Sequence, residues 1–382
     1  NLTLLTDLYE ITMMQAYFKN NNKNKMAIFD VFYRKNPMDG GYAISAGLEQ
    51  VIEYINNLHF TEDDINYLAS LKIFEDDFLD YLKNFKFTGD IHAIPEGSVM
   101  FPREPMLKVI APIMEAQFIE TAILNILNHQ SLIATKAARI CYAAEGDGIM
   151  EFGLRRAQGP DAGIYGARAA VIGGCAGTSN VLTGQMFDVP VMGTHAHSWI
   201  MSFDDEYTAF YTYAKLYPMA CTLLVDTYDT LNSGVPNAIK VFKQIKKEGI
   251  ELKNYGIRLD SGDLAYLSKK ARKMLDDAGF KDATITASND LDEFLIASLK
   301  MQGAEITNWG VGTNLITSKD CPSFGGVYKL AAIMEDGENF TPKIKLSDNS
   351  EKITNPGNKK IYRIYEKENN KIKADLICLE NE

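Results

Sequence analysis

The chain has 382 residues, of which 46% are hydrophobic and 23% are charged, and this composition excludes a disulfide-stapled mini-protein and a mostly disordered chain. Its 50 acidic residues outnumber its 39 basic residues, and the net charge of -11 argues against non-specific binding to nucleic acid. Because the five cysteines are scattered and the apolar runs are short, we expect a cytoplasmic protein with no disulfide framework, no structural zinc site and no membrane span.

The first third of the chain mixes helical and strand patterns and predicts an N-terminal α+β domain over residues 1–125. Asp7 and Glu10 have the spacing of a capping box at the start of the first helix. The later patterned segments are a strand at 27–33, a helix at 47–58, short strands within 89–112 and a long helix at 113–142. The long helix marks the expected junction with the next domain.

Strands and helices alternate from residue 148 onward. Strand patterns cover 149–153, 189–194, 222–226, 255–260, 284–288 and 306–310, and helical patterns cover 167–175, 206–216, 236–247, 264–278 and 292–301. This alternation predicts βαβ units and a parallel sheet. No Gly-x-Gly-x-x-Gly motif opens the first unit, which favours an irregular (β/α) barrel of about seven parallel strands over a dinucleotide-binding sheet. The predicted fold class is therefore α/β, with the barrel over residues 126–325.

The last segment, residues 326–382, begins with a strand pattern and then becomes rich in Lys, Glu and Asn. Turn signals follow at Asp336-Gly337 and Pro356-Gly357. We expect this segment to add strands that pack back on the N-terminal domain.

Polar clusters follow most of the predicted strands of the barrel. They are Arg155-Arg156, His195 with His197, Asp226, Arg258 with Asp260 and Asp263, Asn289-Asp290, and Gly310 to Thr313. Active sites of α/β barrels are built at the carboxyl ends of the strands. Arginine suits phosphate or carboxylate groups, and glycine-rich turns let backbone N–H groups approach an anion. The sequence therefore predicts an enzyme that acts on a phosphorylated, anionic small molecule.

His195 and His197 leave three interpretations open. Positions i and i+2 of a strand face the same way, so the two rings could share a metal ion with Asp226 and Asp260. One ring could instead be a core histidine bonded to the backbone, or a nucleophile that accepts a phosphoryl group. A metal-dependent hydrolase and a sensor that binds a nucleotide without turnover are therefore alternative functions.

Further segments occur in a fixed order along the chain. They include Thr6-Asp7-Leu8-Tyr9, Gly40-Gly41-Tyr42, Glu151-Phe152-Gly153-Leu154-Arg155-Arg156, Gly193-Thr194-His195-Ala196-His197-Ser198, Arg258 through Asp263, Gly310-Val311-Gly312-Thr313 and Val327-Tyr328-Lys329-Leu330. Together they resemble the nicotinate phosphoribosyltransferase family of type II phosphoribosyltransferases. The resemblance implies that nicotinate and phosphoribosyl pyrophosphate form nicotinate mononucleotide and pyrophosphate, coupled to ATP hydrolysis, in NAD salvage. It also implies Mg²⁺ as cofactor and a homodimer with shared active sites.

The resemblance assigns roles to individual residues. His197 matches the phosphohistidine of the family, and Asp226 is the second catalytic residue. The nicotinate-binding residues are Tyr9, Phe152, Arg155, Ser179 and Ser198, with the pyridine ring between Phe152 and the partner subunit's Tyr9. The residues expected to hold the phosphoribosyl group and its phosphates are Arg34, Arg258, Asp260, Asn289, Asp290, Gly312, Thr313 and Lys329.

Ser179 is the main reason to expect the acid as substrate. Relatives that use nicotinamide carry an aspartate there, which would accept a hydrogen bond from an amide and repel a carboxylate. Transfer to nicotinamide or quinolinate stays an alternative within the same architecture. The chain is shorter than is usual in this branch, and the sequence leaves open whether it is truncated or a compact variant.

Overall fold

The computed structural model describes residues 1–335 and 337–382, which divide into two compact units. Unit 1 comprises Asn1–Leu132 and Ser323–Glu382, and unit 2 comprises Ile133–Pro322. The C-terminal segment therefore belongs to the same unit as the N-terminal residues. Within the described ranges, no helix is both long enough and apolar enough to cross a lipid bilayer.

The first part of the chain forms the helices and strands of unit 1. They are α1 (Leu8–Lys19), β1 (Met26–Tyr33), β2 (Ala43–Ile44), α2 (Leu48–Asn56), α3 (Glu62–Ser70), α4 (Asp76–Leu82), β3 (Asp90–Ala93), β4 (Val99–Met100), β5 (Leu107–Pro112), α5 (Ile113–Phe118) and α6 (Glu120–Ala143), which continues into unit 2. The single long helix predicted over 113–142 is thus two helices. The backbone leaves the first helix at Ile119, whose N–H bonds back to Gln117.

Strands and helices of unit 2 alternate as predicted, apart from one run of three successive helices. They are β6 (Gly148–Glu151), α7 (Pro160–Ile172), β7 (Gly177–Thr178), α8 (Val181–Phe187), α9 (His197–Met201), α10 (Glu206–Leu216), β8 (Thr222–Leu224), α11 (Val235–Lys247), β9 (Gly256–Leu259), α12 (Leu264–Asp277), β10 (Thr284–Ala287), α13 (Glu293–Met301), β11 (Asn308–Val311) and α14 (Thr313–Ile316). The helix predicted at 167–175 begins earlier, at Pro160. Proline suits the first turn because the backbone N–H groups there have no partner within the helix, so its missing N–H costs no helical hydrogen bond.

Six parallel strands form the sheet of unit 2 in the order β7-β6-β11-β10-β9-β8. The parallel α/β sheet is confirmed, whereas closure into a barrel of about seven strands stays a prediction. The prediction of a strand at 189–194 is wrong, because within this segment Val191 makes only an isolated bridge to Thr178. The strand beside β6 is instead β7, whose two residues are too few to give a periodic pattern.

The sheet of unit 2 places polar residues at one edge and apolar residues in the core. Ile257, Ile285 and Trp309 are fully or almost fully buried. Since all six strands run in the same direction, their carboxyl ends meet at one edge. The predicted polar clusters follow these ends, so the sheet brings distant parts of the sequence together there.

The C-terminal segment returns to unit 1 as β12 (Gly326–Met334), β13 (Phe340–Pro342), β14 (Lys359–Tyr365) and β15 (Ile372–Leu379). β12 pairs with β1 in an antiparallel sheet of order β13-β12-β1-β5-β3, and β14 and β15 form a hairpin. β1 lies between β12 and β5 in this sheet and is buried along almost its whole length. Asp336 of the predicted Asp336-Gly337 turn lies outside the described residues.

The capping box predicted at Asp7 and Glu10 is wrong. Asp7 precedes α1 with an extended backbone, but its side chain makes no capping hydrogen bond. Glu10 is fully buried, and its carboxylate accepts hydrogen bonds from the Thr6 hydroxyl and from the backbone N–H of Thr121 at 2.9 Å. The carboxylate therefore joins α1 to α6 instead of capping α1.

We predict that Glu10 makes the stability of the protein depend on pH. Burial raises the pKa of Glu10 from 4.5 to about 7, outweighing the lowering effect of hydrogen bonds from Thr6 and Thr121. The raised pKa means that the folded state binds the proton more tightly than the unfolded state does. Protonation of Glu10 therefore stabilises the folded state fully below pH 4.5, and this stabilisation is lost as the pH rises through about 7. Replacing Glu10 with glutamine should raise the free energy of unfolding by about 2 kcal/mol more at pH 8 than at pH 5.

Urea unfolding of the Glu10→Gln variant at the two pH values checks this. Glu53→Gln, at an exposed position of α2, is the matched control and should show no such difference. Equal effects of Glu10→Gln at both pH values would contradict the assignment.

Candidate functional site

A polar cavity of about 270 Å³ lies at the carboxyl edge of the parallel sheet. Its lining comprises Phe152, Arg155, Arg156, Ser179, Gly193, Thr194, Arg258, Asp260, Ser288, Asn289, Asp290, Gly310, Gly312 and Thr313. The cavity unites most of the residues that the sequence predicts for the pyridine and phosphoribosyl groups. All of the lining residues belong to unit 2.

Phe152 provides an aromatic wall of the cavity. Its backbone N–H extends the sheet by bonding to the carbonyl oxygen of Val311 at 2.8 Å. A Cβ atom added to Gly310 would lie 2.6 Å from the Phe152 ring, so only glycine fits there. The glycine of the predicted phosphate turn therefore also makes room for the ring.

Arg155 and Ser179 lie on turns that follow neighbouring strands. Arg155 is exposed in a one-turn 3-10 helix, Leu154–Arg156, which begins three residues after the end of β6. Ser179 follows β7, and its backbone N–H bonds to the carbonyl oxygen of Glu151 at 3.0 Å. A cationic side chain, a hydroxyl and an aromatic ring thus line the same cavity, which suits a flat ring that carries an anionic group.

Arg258 is held by three acceptors of the protein. Its Nε donates to Ser288 Oγ at 2.8 Å, one terminal nitrogen donates to Thr194 Oγ1 at 2.8 Å, and the other donates to Asp260 Oδ1 at 2.9 Å. The guanidinium therefore adds positive charge in a fixed position. Neither Thr194 nor Ser288 is predicted as a site residue from the sequence, because a single Thr or Ser is too common to be a signal.

Asp260 is ionised in this network. Its burial alone would raise the pKa, but the Ser288 hydroxyl and the Arg258 cation outweigh burial and hold the pKa of the carboxyl group below its usual value. Asp226 braces the same turn, because its Oδ2 accepts from the Asp260 N–H at 3.0 Å and from the Ser261 hydroxyl at 2.5 Å. The other Asp226 oxygen is buried and has no hydrogen-bond partner among the described residues.

Asn289 and Asp290 form the turn after β10. Both residues have positive φ, 93° for Asn289 and 44° for Asp290, and Asn and Asp tolerate this region better than most residues do. Asn314 Nδ2 donates to the carbonyl oxygen of Asp290 at 2.8 Å, which ties this turn to α14. Both turn residues are exposed, so their polar atoms are available to a ligand.

The two histidines have different surroundings. His195 is buried, its Nε2 accepts from the backbone N–H of Leu224 at 3.3 Å, and burial lowers its pKa to about 4. His195 is thus a neutral core histidine whose Nε2 lone pair is already used. His197 opens α9, with Nδ1 3.0 Å from Thr227 Oγ1 and Nε2 3.7 Å from Asp260 Oδ2.

The interpretation in which His195 and His197 share a metal ion is wrong for His195, since its Nε2 lone pair accepts a hydrogen bond from a backbone amide. Where the structure describes the chain, no group of three or more His, Cys, Asp or Glu side chains could hold a metal ion. No motif in the sequence predicts Thr227, whose hydroxyl lies 3.0 Å from the His197 ring. Ser198 is exposed on α9 and is not part of the cavity lining.

Tyr9, Arg34 and Lys329 lie in unit 1. Tyr9 is 45% exposed on α1. Arg34 follows β1, and its buried Nε has no hydrogen-bond partner among the described residues. Lys329 lies on β12 with its Nζ 3.7 Å from a carboxylate oxygen of Glu120.

Comparison with known proteins gives consistent matches along the chain. Residues 4–128 match the family model described as the nicotinate phosphoribosyltransferase (NAPRTase) N-terminal domain, and residues 148–373 match the NAPRTase family. The chain is 53% identical over 382 residues to the nicotinate phosphoribosyltransferase of Bacillus subtilis (strain 168), covering 100% of this chain and 77% of that protein. It is 33% identical over 418 residues to the nicotinate phosphoribosyltransferase of Homo sapiens, covering 94% of this chain and 76% of that protein.

A solved structure agrees with the sequence comparison. The crystal structure of human nicotinic acid phosphoribosyltransferase superposes with a TM-score of 0.85 at 31% identity, covering 99% of this chain and 82% of that chain. The match extends over both units. The chain therefore belongs to the nicotinate phosphoribosyltransferase family.

Proposed function

We propose that the protein transfers the phosphoribosyl group of phosphoribosyl pyrophosphate to the ring nitrogen of nicotinate and couples this transfer to ATP hydrolysis. The products are nicotinate mononucleotide, pyrophosphate, ADP and phosphate. The observation that carries the proposal is the single cavity that combines Phe152, Arg155 and Ser179 with the polar turns around Asp260 and Thr313. Membership of the family supports the same substrates.

The pyridine ring would lie against Phe152, with its carboxylate near Arg155 and Ser179. The Ser179 hydroxyl can donate a hydrogen bond to a carboxylate without repelling it. In a dimer, the partner subunit's Tyr9 would cover the opposite face of the ring, and the partner's Arg34 and the partner's Lys329 would add positive charge. The exposure of Tyr9 on α1 supports this arrangement.

The phosphoribosyl group would occupy the other part of the cavity. Gly312 and Thr313, at the start of α14, would offer backbone N–H groups to the 5-phosphate. The ionised Asp260 would accept hydrogen bonds from ribose hydroxyl groups, with Asn289 and Asp290 beside it. Charge that develops as the glycosidic bond to pyrophosphate breaks would be stabilised by groups that are already oriented.

Mg²⁺ suits this donor set, because carboxylate oxygens are its preferred protein ligands and Asp226 has a buried oxygen without a hydrogen-bond partner. Asp226 and Asp260 would hold the ion together with phosphate oxygens of the substrate. When bound, it would neutralise the charge of the departing pyrophosphate.

Coupling to ATP would pass through His197. A neutral imidazole nitrogen would attack the γ-phosphorus of ATP, the bond to the bridging oxygen would break, and ADP would leave. The N–H proton of the ring passes to solvent water in this step, and water later cleaves the phosphorus–nitrogen bond to release phosphate and return the neutral ring. The Thr227 hydroxyl on Nδ1 and the 40% exposed side chain of His197 support this role.

The proposal is tested by measuring mononucleotide formation from phosphoribosyl pyrophosphate and Mg²⁺ with nicotinate, nicotinamide or quinolinate, each with and without ATP. We expect product from nicotinate alone, strongly stimulated by ATP. Product from nicotinamide would refute the role of Ser179, and ATP-independent turnover of quinolinate with release of CO₂ would place the protein in the sister branch. No product from any base would refute the proposed activity.

A further inference from the structure

Glu151 is a buried carboxylate that the proposed function does not use. It is the last residue of β6, is 0% exposed and does not line the cavity. Burying a carboxylate is costly unless its oxygens accept hydrogen bonds. Its contacts therefore indicate what the carboxylate does in this position.

Both oxygens of Glu151 have a hydrogen-bond donor. Oε2 accepts from the Thr178 hydroxyl at 2.6 Å, and Oε1 accepts from the backbone N–H of Gly153. The Glu151 carbonyl oxygen also accepts the N–H of Ser179 at 3.0 Å. We call these three bonds the Glu151 clamp.

The Glu151 clamp joins the two turns that would bind the pyridine carboxylate. Gly153 directly follows Phe152, and Thr178 directly precedes Ser179. The strands that carry these turns, β6 and β7, pair over only two residue positions, so the backbone ladder between them is short. The carboxylate extends this linkage beyond the ladder to the cavity edge.

We infer that Glu151 is a positioning residue, which fixes the distance between the Phe152 ring and the Ser179 hydroxyl and thereby sets the affinity for the pyridine carboxylate. This inference rests on the proposed function. Among the described residues, no hydrogen bond links the Glu151 carboxylate, Gly153 or Thr178 to Arg258, Asp260 or Thr313. We therefore expect the loss of the clamp to act on the pyridine end of the cavity more than on the phosphoribosyl end.

The experiment compares Michaelis constants for the two substrates in clamp variants. Thr178→Val removes one donor, and Glu151→Gln removes the charge while keeping the size. Both should raise KM for nicotinate roughly tenfold, as expected for the loss of a hydrogen bond to a charged group. KM for phosphoribosyl pyrophosphate should stay within about twofold, and Thr178→Ser, which keeps the hydroxyl, should restore the nicotinate KM.

Thr183→Val is the matched control. Thr183 on α8 is also fully buried, and its hydroxyl donates to the carbonyl oxygen of Ile164 at 3.2 Å, an acceptor outside the Glu151 clamp. This variant should lower thermal stability without a selective change in KM for nicotinate. If the clamp variants change both Michaelis constants in parallel, or behave like Thr183→Val, the positioning role is refuted.

Hydrogen exchange of the free protein separates this inference from the proposed function. Glu151→Gln should speed exchange of the Gly153 and Ser179 amides relative to the wild-type protein, whether or not any base is turned over. If the wild-type protein forms mononucleotide while the variants show unchanged exchange and unchanged KM, the positioning role of the clamp is refuted and the proposed function is retained. Faster exchange in a protein that forms no mononucleotide would refute the proposed function and leave the clamp as a structural linkage.

Discussion

Replacing His197 with alanine will abolish ATP hydrolysis and phosphoenzyme formation, with a loss of more than about a hundredfold in ATP-stimulated mononucleotide synthesis. A weak, ATP-independent transfer will remain, because the cavity that would bind nicotinate and phosphoribosyl pyrophosphate does not include the His197 ring. The measurements are the transfer of labelled phosphate from the γ-position of ATP to the protein and the rate of synthesis with and without ATP.

His195→Ala provides the matched control for this result. His195 is buried, neutral and bonded to the Leu224 amide, so its loss should reduce stability and leave phosphoenzyme formation in place. Thr227→Val should weaken phosphorylation without abolishing it, since it releases one side of the His197 ring. Retention of full ATP stimulation in His197→Ala, with loss in His195→Ala, would show that the wrong histidine was assigned.

Replacing Ser179 with aspartate will lower kcat/KM for nicotinate by more than about a hundredfold. A carboxylate placed about 5 Å from the substrate carboxylate repels it by about 3 kcal/mol at an effective dielectric constant of about 20, which corresponds to more than about two orders of magnitude. Nicotinamide carries no such charge, so its kcat/KM should not fall. Steady-state kinetics with both bases measure the change in preference.

Ser179→Asn is the control that separates charge from size. Asparagine has nearly the shape of aspartate but no charge, so its effect on nicotinate should be about tenfold or less. KM for phosphoribosyl pyrophosphate should be unchanged in both variants. Equal losses for Ser179→Asp and Ser179→Asn would mean that space at this position, rather than charge, controls the choice of base.

The two histidines show where inference from the sequence stops. Their spacing predicted a shared strand face, but residues 189–194 form only an isolated bridge, and each ring lies in a different environment. The family resemblance chose His197 over His195. Burial explains the difference physically, because the pKa of His195 falls to about 4 while the His197 side chain keeps 40% of its surface exposed.

Arg258 illustrates a second limit. The sequence placed it two residues before Asp260 on one strand face, and the structure joins the two side chains at 2.9 Å. The remaining donors of Arg258 bond to Thr194 and Ser288, which are 64 and 30 residues away along the chain. Local spacing cannot reveal partners that reach the same place only after the sheet has formed.

The sequence by itself determined the class of fold and the edge at which the candidate site lies. Alternating strands and helices predict a parallel sheet, and parallel strands bring their carboxyl ends to one edge, so polar residues at those ends must meet. Only the tertiary structure decided which strands are neighbours, that β12 returns to pair with β1, and that Glu151 binds Thr178. Periodicity reports whether a residue is buried, whereas a contact between residues far apart in the chain depends on how the whole sheet is assembled.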